Sequence, residues 1–165
     1  MKRCRGLNTQ KQRRPEKGGV MRGVEFMARA CDPKTLTVRQ LMEDAVVTVS
    51  PQTTGPAIAE ILSERNFGSV PVVEPDRTLV GLVSEFDLLR VMDDDRDLRQ
   101  VTAAEIMTSK VVTVTEDMPV KDLIQLLQDR FLIRVSVVNG DKLVGIVARR
   151  DIVFGYVKAL AMYWP

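Results

Sequence analysis

Histidine is absent from the 165 residues. With it go the usual general base, the partner of most nucleophiles and the commonest metal ligand. The groups left to do chemistry are hydroxyls, carboxylates and guanidinium groups placed at repeated positions. Gly81-Leu-Val-Ser-Glu-Phe-Asp87 is answered by Gly145-Ile-Val-Ala-Arg-Arg-Asp151. In each, a β-branched run passes straight into a helix-forming one. A helix N-terminus offers free N–H groups and partial positive charge, a setting for an anion. A carboxylate one turn in, Asp87, can accept both hydroxyls of a ribose, and Gly81 leaves room for close approach. The same spacing has a structural reading. Ser84-x-x-Asp87 is a near-capping box, in which the hydroxyl caps the helix and the carboxylate returns to the Ser84 N–H. Ala148 deletes the hydroxyl from the second copy while Asp151 stays, either for another task or as a favourable charge in a first turn.

Two long copies of one pattern position these motifs. Thr37–Val73 overlays Thr102–Val138 without a gap, with Met42 on Met107, Arg65 on Arg130 and Val72-Val73 on Val137-Val138. An internal repeat constrains architecture before any single residue is interpreted. Each copy reads as a short amphipathic turn (Thr37–Met42, Thr102–Met107), a strand (Val46–Val49, Val111–Val114), a helix, two strands and a final helix. Thr37 and Thr102 are good N-caps. Pro119 suits a first helical turn, ahead of Val120, Leu123, Ile124 and Leu127 on one apolar face. Asn139-Gly140 is a strong hairpin signal. The fold class is therefore α/β (α+β), two β-α-β-β-α repeats. A three-stranded sheet cannot cover both of its own faces, so the repeats are expected to pack through their sheets. The boundaries are 37–92 for repeat 1, 93–101 for an acidic linker, and 102–160 for repeat 2 with an extended C-terminal helix. Asp93-Asp94-Asp95 lacks the glycine and distant glutamate of a calcium loop and reads as a solvated connector.

Charge divides the chain. Residues 1–22 carry eight basic residues against Glu16 alone, and the remainder carries 16 basic and 21 acidic residues. Residues 1–30 read as a basic disordered tail. It is either a solvated or anion-seeking arm, or the product of a start assigned too early, with Met21 or Met27 the true start. No apolar core follows it, so it makes a poor signal peptide, and no segment suits a membrane span. Cys4 and Cys31 form neither a metal-ligand spacing nor a disulfide framework. The expected setting is the cytoplasm, without a metal. No nucleophile–base pair is visible, so the expectation is that the chain is not an enzyme.

Leu41-Met42 ahead of Val46-Val47-Thr48-Val49, then Ser69-Val70-Pro71-Val72-Val73, Leu79-Val80-Gly81-Leu82-Val83-Ser84 and Asp87, with the parallel set in repeat 2, together resemble a tandem pair of CBS domains. The resemblance covers about residues 37–160. It implies pseudo-twofold packing through the sheets and two clefts that in many members take AMP, ADP, ATP or S-adenosylmethionine as regulatory ligands, with no cofactor required. It maps the hydroxyl and ribose-binding acid onto Ser84 and Asp87, with Asp151 in the second copy. The base-lining positions become Val47 with Phe67-Gly68, and Val112 with Leu132-Ile133. The basic position before the second strand becomes Arg134, opposite Ser69 in repeat 1. Ala148 and Ser136 depart from the family pattern, so the clefts are expected to differ, with phosphate preferring the one holding Arg134. Arg149 and Arg150 either join it or point to solvent. The implied function is a regulatory sensor, a homodimer signalling to an unknown protein in trans. The alternatives are a structural dimer with empty clefts and, less favoured, a nucleic-acid binder acting through a tail with no aromatic residue before Phe26.

Overall fold

Short β-branched runs punctuated by Gly, Pro, Asn and Asp fold here as two hairpins, each flanked by helices. A computed structural model describes residues 36–161. The expected tail 1–30, both cysteines and the terminal Tyr163-Trp164 lie outside the described residues. In chain order the elements are α1 (Gly55–Arg65), β1 (Ser69–Val73), β2 (Leu79–Ser84), α2 (Glu85–Asp93), α3 (Ala103–Ile106), β3 (Thr113–Thr115), α4 (Val120–Asp129), β4 (Arg134–Asn139), β5 (Lys142–Ala148) and α5 (Arg149–Ala161). Single 3-10 turns at Val38–Gln40 and Leu98–Gln100 precede α1 and α3 respectively. The two hairpins, β1–β2 and β4–β5, are antiparallel, with the same register shift after Val72 and after Val137.

The sheets differ by one strand. In repeat 2, β3 adds to β4 in parallel and completes three strands; in repeat 1 the expected Val46–Val49 strand is reduced to a single bridge, Val49 to Val72. Pro71 explains the difference. Val49 N–H donates to Pro71 O and Val73 N–H donates to Val49 O. Pro71 therefore turns the edge of β1 toward this segment at the next rung, where a proline has no N–H to give. Ser136 keeps its N–H at the matching place, opposite Thr113.

The core consists of two clusters, and each takes its lid from the other repeat. Leu36, Val38 and Leu41, which open repeat 1, are buried among Val114, Val120, Leu123, Leu127, Val135, Val137 and Val147 of repeat 2. Ala103, with Ile106 and Met107, sits instead on Val49, Ile58, Leu62, Val70, Val72 and Val83 of repeat 1. The backbone follows. Val38 N–H donates to Met118 O and Val120 N–H to Leu36 O, while Ala103 N–H donates to Thr53 O and Ala104 N–H to Pro51 O. Fully burying a residue such as Val38 or Leu36 stabilises by roughly 1.5–3 kcal/mol, so each exchanged turn is a major part of the other repeat's core. Leu41-Met42 and Ile106-Met107 thus pin their turns to the opposite repeat rather than to their own.

The glycines of the repeated motif serve this exchange. A Cβ on Gly81 would stand 2.8 Å from Met107 Cγ, and one on Gly145 would stand 2.7 Å from Met42 Sδ. The close approach for which Gly81 leaves room is that of a methionine from the other repeat. The acidic linker is also more than a solvated spacer. Asp97 accepts the Arg99 N–H at 2.9 Å, Leu98 packs on the repeat 1 core, and Val101 is buried.

A clasp joins the hairpin turns. Leu79 N–H donates to Asp141 O, Leu143 N–H donates to Arg77 O, and Lys142 Nζ reaches Asp76 Oδ2 at 2.6 Å and Thr78 Oγ1. The Lys142 ammonium, followed by the Thr78 N–H and hydroxyl, holds the Asp76 carboxyl well below the usual carboxylate range. The hydrogen bond to Asp76 in turn raises Lys142. A depressed carboxyl contributes its stability above its unfolded value, about 3.9, and loses it as pH falls through the folded value. The raised ammonium contributes below about 10.4 and loses its share as pH rises through the folded value. Asp76→Asn is therefore expected to lower the melting temperature slightly between pH 5 and 9. The gap from wild type should narrow steadily below about pH 4. A gap that stays constant down to pH 2 excludes the ion pair as its cause.

Candidate functional site

The two repeated acids have different surroundings. Asp87 is 8% exposed. Its Oδ2 accepts both the Ser84 N–H at 2.8 Å and the Ser84 hydroxyl at 2.6 Å, and its Oδ1 stands 3.8 Å from Arg90 Nη1. Two donors thus converge on Asp87 Oδ2. Asp151 Oδ2 accepts only the Ala148 N–H, at 2.8 Å, and its Oδ1 lies 3.8 Å from Arg150 Nε. Without a hydroxyl at position 148, Asp151 Oδ2 accepts one hydrogen bond fewer than Asp87 Oδ2, and its side chain is more exposed, 32% against 10%.

Asp151 faces a cleft of about 630 Å³ between the repeats, within the range that accepts a small ligand. Val46, Val47, Phe67 and Pro71 of repeat 1 form one wall; Arg134, Ala148, Arg150 and Asp151 of repeat 2 form the other. The residues from Arg39 to Ala45, the end of the exchanged turn and the segment that leads from it, close one side. The Arg134 guanidinium lies over the Phe67 ring with its Cζ 4.9 Å from the centroid, a cation–π distance. Burial pulls Arg134 below its usual value, the neighbouring Arg150 adds to this, and Asp151 opposes both. Arginine starts so high that the group stays charged. Among the described residues no ion pair is recorded for it.

The cleft therefore mixes what the two sequence copies kept apart. Val47 and Phe67 come together with Arg134 and Asp151. Ser84, Asp87, Gly68, Val112 and Ile133 do not line it. Gly68 O accepts the Glu85 N–H and Ile133 O accepts the Arg149 N–H, so these two positions tie the start of each final helix to the entry of its hairpin's first strand. Val112 and Ile133 are exposed. Arg150 lines the cleft and Arg149 does not; Arg149 Nε donates to Leu132 O instead. Sequence reasoning passed over Glu43-Asp44-Ala45, Pro71 and Ile146. The first three read as a polar loop, and only the exchange of leading turns brings them to the cleft.

A description of the CBS domain matches residues 38–94 and again 103–158. The chain is 33% identical over 121 residues to the protein MK0525 of Methanopyrus kandleri, spanning 72% of this chain and 62% of that one. Two solved structures share the fold. CBSX2 from Arabidopsis thaliana, in complex with AMP, superposes with a TM-score of 0.67 at 28% identity, covering 74% of this chain and 96% of that one. The CBS domain pair of protein MJ0100, in complex with 5′-methylthioadenosine and S-adenosyl-L-methionine, gives 0.65 at 26% identity, covering 74% and 97%. Among the described residues no helix is long and apolar enough to cross a membrane. Both copies of the pattern are matched, and the exchanged turns bind them into one unit: the chain belongs to the CBS-domain family, as a tandem pair.

Proposed function

We propose that the protein is a cytoplasmic regulatory sensor that binds a phosphate-bearing adenosine nucleotide in the cleft at Arg134. Working as a homodimer, it passes the bound state to a partner protein in trans. One observation carries the reading: a half-buried guanidinium, stacked on Phe67, shares a cleft with the open carboxylate of Asp151. Val46, Val47 and Phe67 offer apolar surface for the base. Asp151 has an oxygen for the ribose hydroxyls, and Arg134 with Arg150 supplies charge for the phosphate. The complexes of CBSX2 with AMP and of MJ0100 with S-adenosyl-L-methionine support this ligand class. The site at Ser84 and Asp87 stays empty or takes a less anionic adenosine compound, because Asp87 is engaged by its own helix cap.

The test is a melting series with AMP, ADP, ATP, adenosine and S-adenosylmethionine. A ligand at 100 times its Kd stabilises by about 2.7 kcal/mol. A shift with the phosphate-bearing members that adenosine fails to match supports the proposal. No shift with any of them favours a structural dimer with silent clefts.

A further inference from the structure

Three guanidinium groups line the cleft: Arg39 from the exchanged turn of repeat 1, and Arg134 and Arg150 from repeat 2. The internal repeat supplies a matching position for each. Arg39 answers Ala104, Arg134 answers Ser69, and Arg150 answers Phe86. None of the three matching residues is charged, so the cations are gathered at one cleft. Arg39 stands apart, because the fold does not call for its side chain. Its backbone docks the exchanged turn, with Arg39 N–H donating to Glu116 O at 2.9 Å. Ala104 N–H makes the same contact with Pro51 O, also at 2.9 Å, and 51 and 116 are themselves matching positions. Docking is therefore complete with a methyl group at this place. The Arg39 side chain is nonetheless 58% exposed, with Nη2 on Glu116 Oε2 at 2.9 Å. An ion pair with so exposed a partner is weak, and it occupies one arm of the guanidinium fork.

We infer that Arg39 selects for a second phosphate: the cleft takes an adenosine nucleotide whose phosphate chain is two or more units long, the first unit meeting Arg134 and the next meeting Arg39. The inference rests on the reading under Proposed function and narrows its ligand class. Placement favours it. Arg134 is half-buried against Phe67, whereas Arg39 stands at the rim, on the side closed by residues 39–45. A chain of phosphates anchored at the inner cation and pointing toward solvent passes the outer one. Glu43 and Asp44 share that side of the cleft. Their like charge penalises a phosphate that stands anywhere but on the Arg39 fork. Arginine suits the task, since its planar fork takes two phosphate oxygens at once. A diphosphate so held also bridges the repeats, with one cation from each.

The test is calorimetric titration of the full chain with adenosine, AMP and ADP. Wild type is expected to bind ADP about 10-fold more tightly than AMP, the order of effect of one hydrogen bond between charged groups. Arg39→Ala is expected to leave AMP affinity in place and to bring the two nucleotides within about twofold of each other. Glu116→Gln separates selection from docking. It breaks the ion pair and keeps Arg39, so the preference for ADP is expected to persist or grow. If Arg39 serves the ion pair alone, both variants lower the melting temperature alike and keep the wild-type ratio, and the inference is overturned. A wild type that binds AMP and ADP equally overturns it too. Either result leaves the nucleotide reading intact. A chain that binds none of the three compounds overturns that reading and this inference together.

Discussion

Arg134→Ala is expected to weaken AMP binding by about 10- to 100-fold while leaving adenosine nearly unaffected. A hydrogen bond to a charged group contributes roughly 1.5–3 kcal/mol, and about 1.4 kcal/mol is a factor of ten. Arg134 is half-buried and already desolvated in part, so a phosphate meets a cation that water screens less than a surface arginine. The substitution removes the charge and also uncovers the Phe67 face, which gives the base more surface. Arg134→Lys separates charge from geometry, since lysine keeps the charge but neither the planar fork nor the same stacking. Calorimetric titration of wild type, both variants and Asp151→Ala with AMP and with adenosine checks this. Unchanged AMP affinity in Arg134→Ala, with loss in Asp151→Ala, removes Arg134 from the phosphate site.

The second large effect concerns stability. Gly81→Ala places a methyl group against Met107, whose Cγ and Cβ would stand 2.8 and 3.1 Å away. These atoms lie near the root of the side chain, so the tip cannot relieve the clash by turning aside. Overpacking of this kind costs roughly 1–3 kcal/mol, and for a chain of this size each kcal/mol lowers the melting temperature by about 2–4 °C. Met107 belongs to repeat 2 and Gly81 to repeat 1, so the strain falls on the contact between an exchanged turn and its host. Met107→Ala vacates the space. In a double-mutant cycle followed by urea denaturation, Gly81→Ala/Met107→Ala is expected to be scarcely less stable than Met107→Ala alone. Additive losses place the origin of the Gly81 effect elsewhere. Gly145 and Met42 form the matching pair on the other side.

Much of the architecture is visible in the chain because it was written twice. The hairpins follow from Val70–Val73, Leu79–Val83 and Asn139-Gly140, and the helices from Ile58, Leu62, Leu123 and Leu127. The exchange of leading turns is not visible. Thr37–Met42 reads identically whether it docks on its own repeat or on the other, since periodicity reports that a face is buried and not against what. For the same reason the sequence assigned Val47 and Phe67 to one cleft and Arg134 to another, whereas the fold puts all three together. The missing strand of repeat 1 has a signal in the sequence: Pro71, without an N–H, faces the Val46–Val49 segment. At Ser84 and Asp87 the spacing is compatible with capping and with ligand binding alike; the fold shows the capping contacts made, and the carboxylate beside Ala148 is the more exposed of the two.

The exchanged turns separate the unit that was duplicated from the unit that folds. A chain severed between residues 94 and 101 yields two pieces, each carrying a turn that completes the other's core and each lacking its own. Neither half is then a free-standing module that recombination can graft elsewhere intact, and the pair must travel together. A nucleotide held against Arg39–Ala45 presses on the strap that carries one of those turns across, so occupancy of the cleft and cohesion of the two halves are expected to rise and fall together.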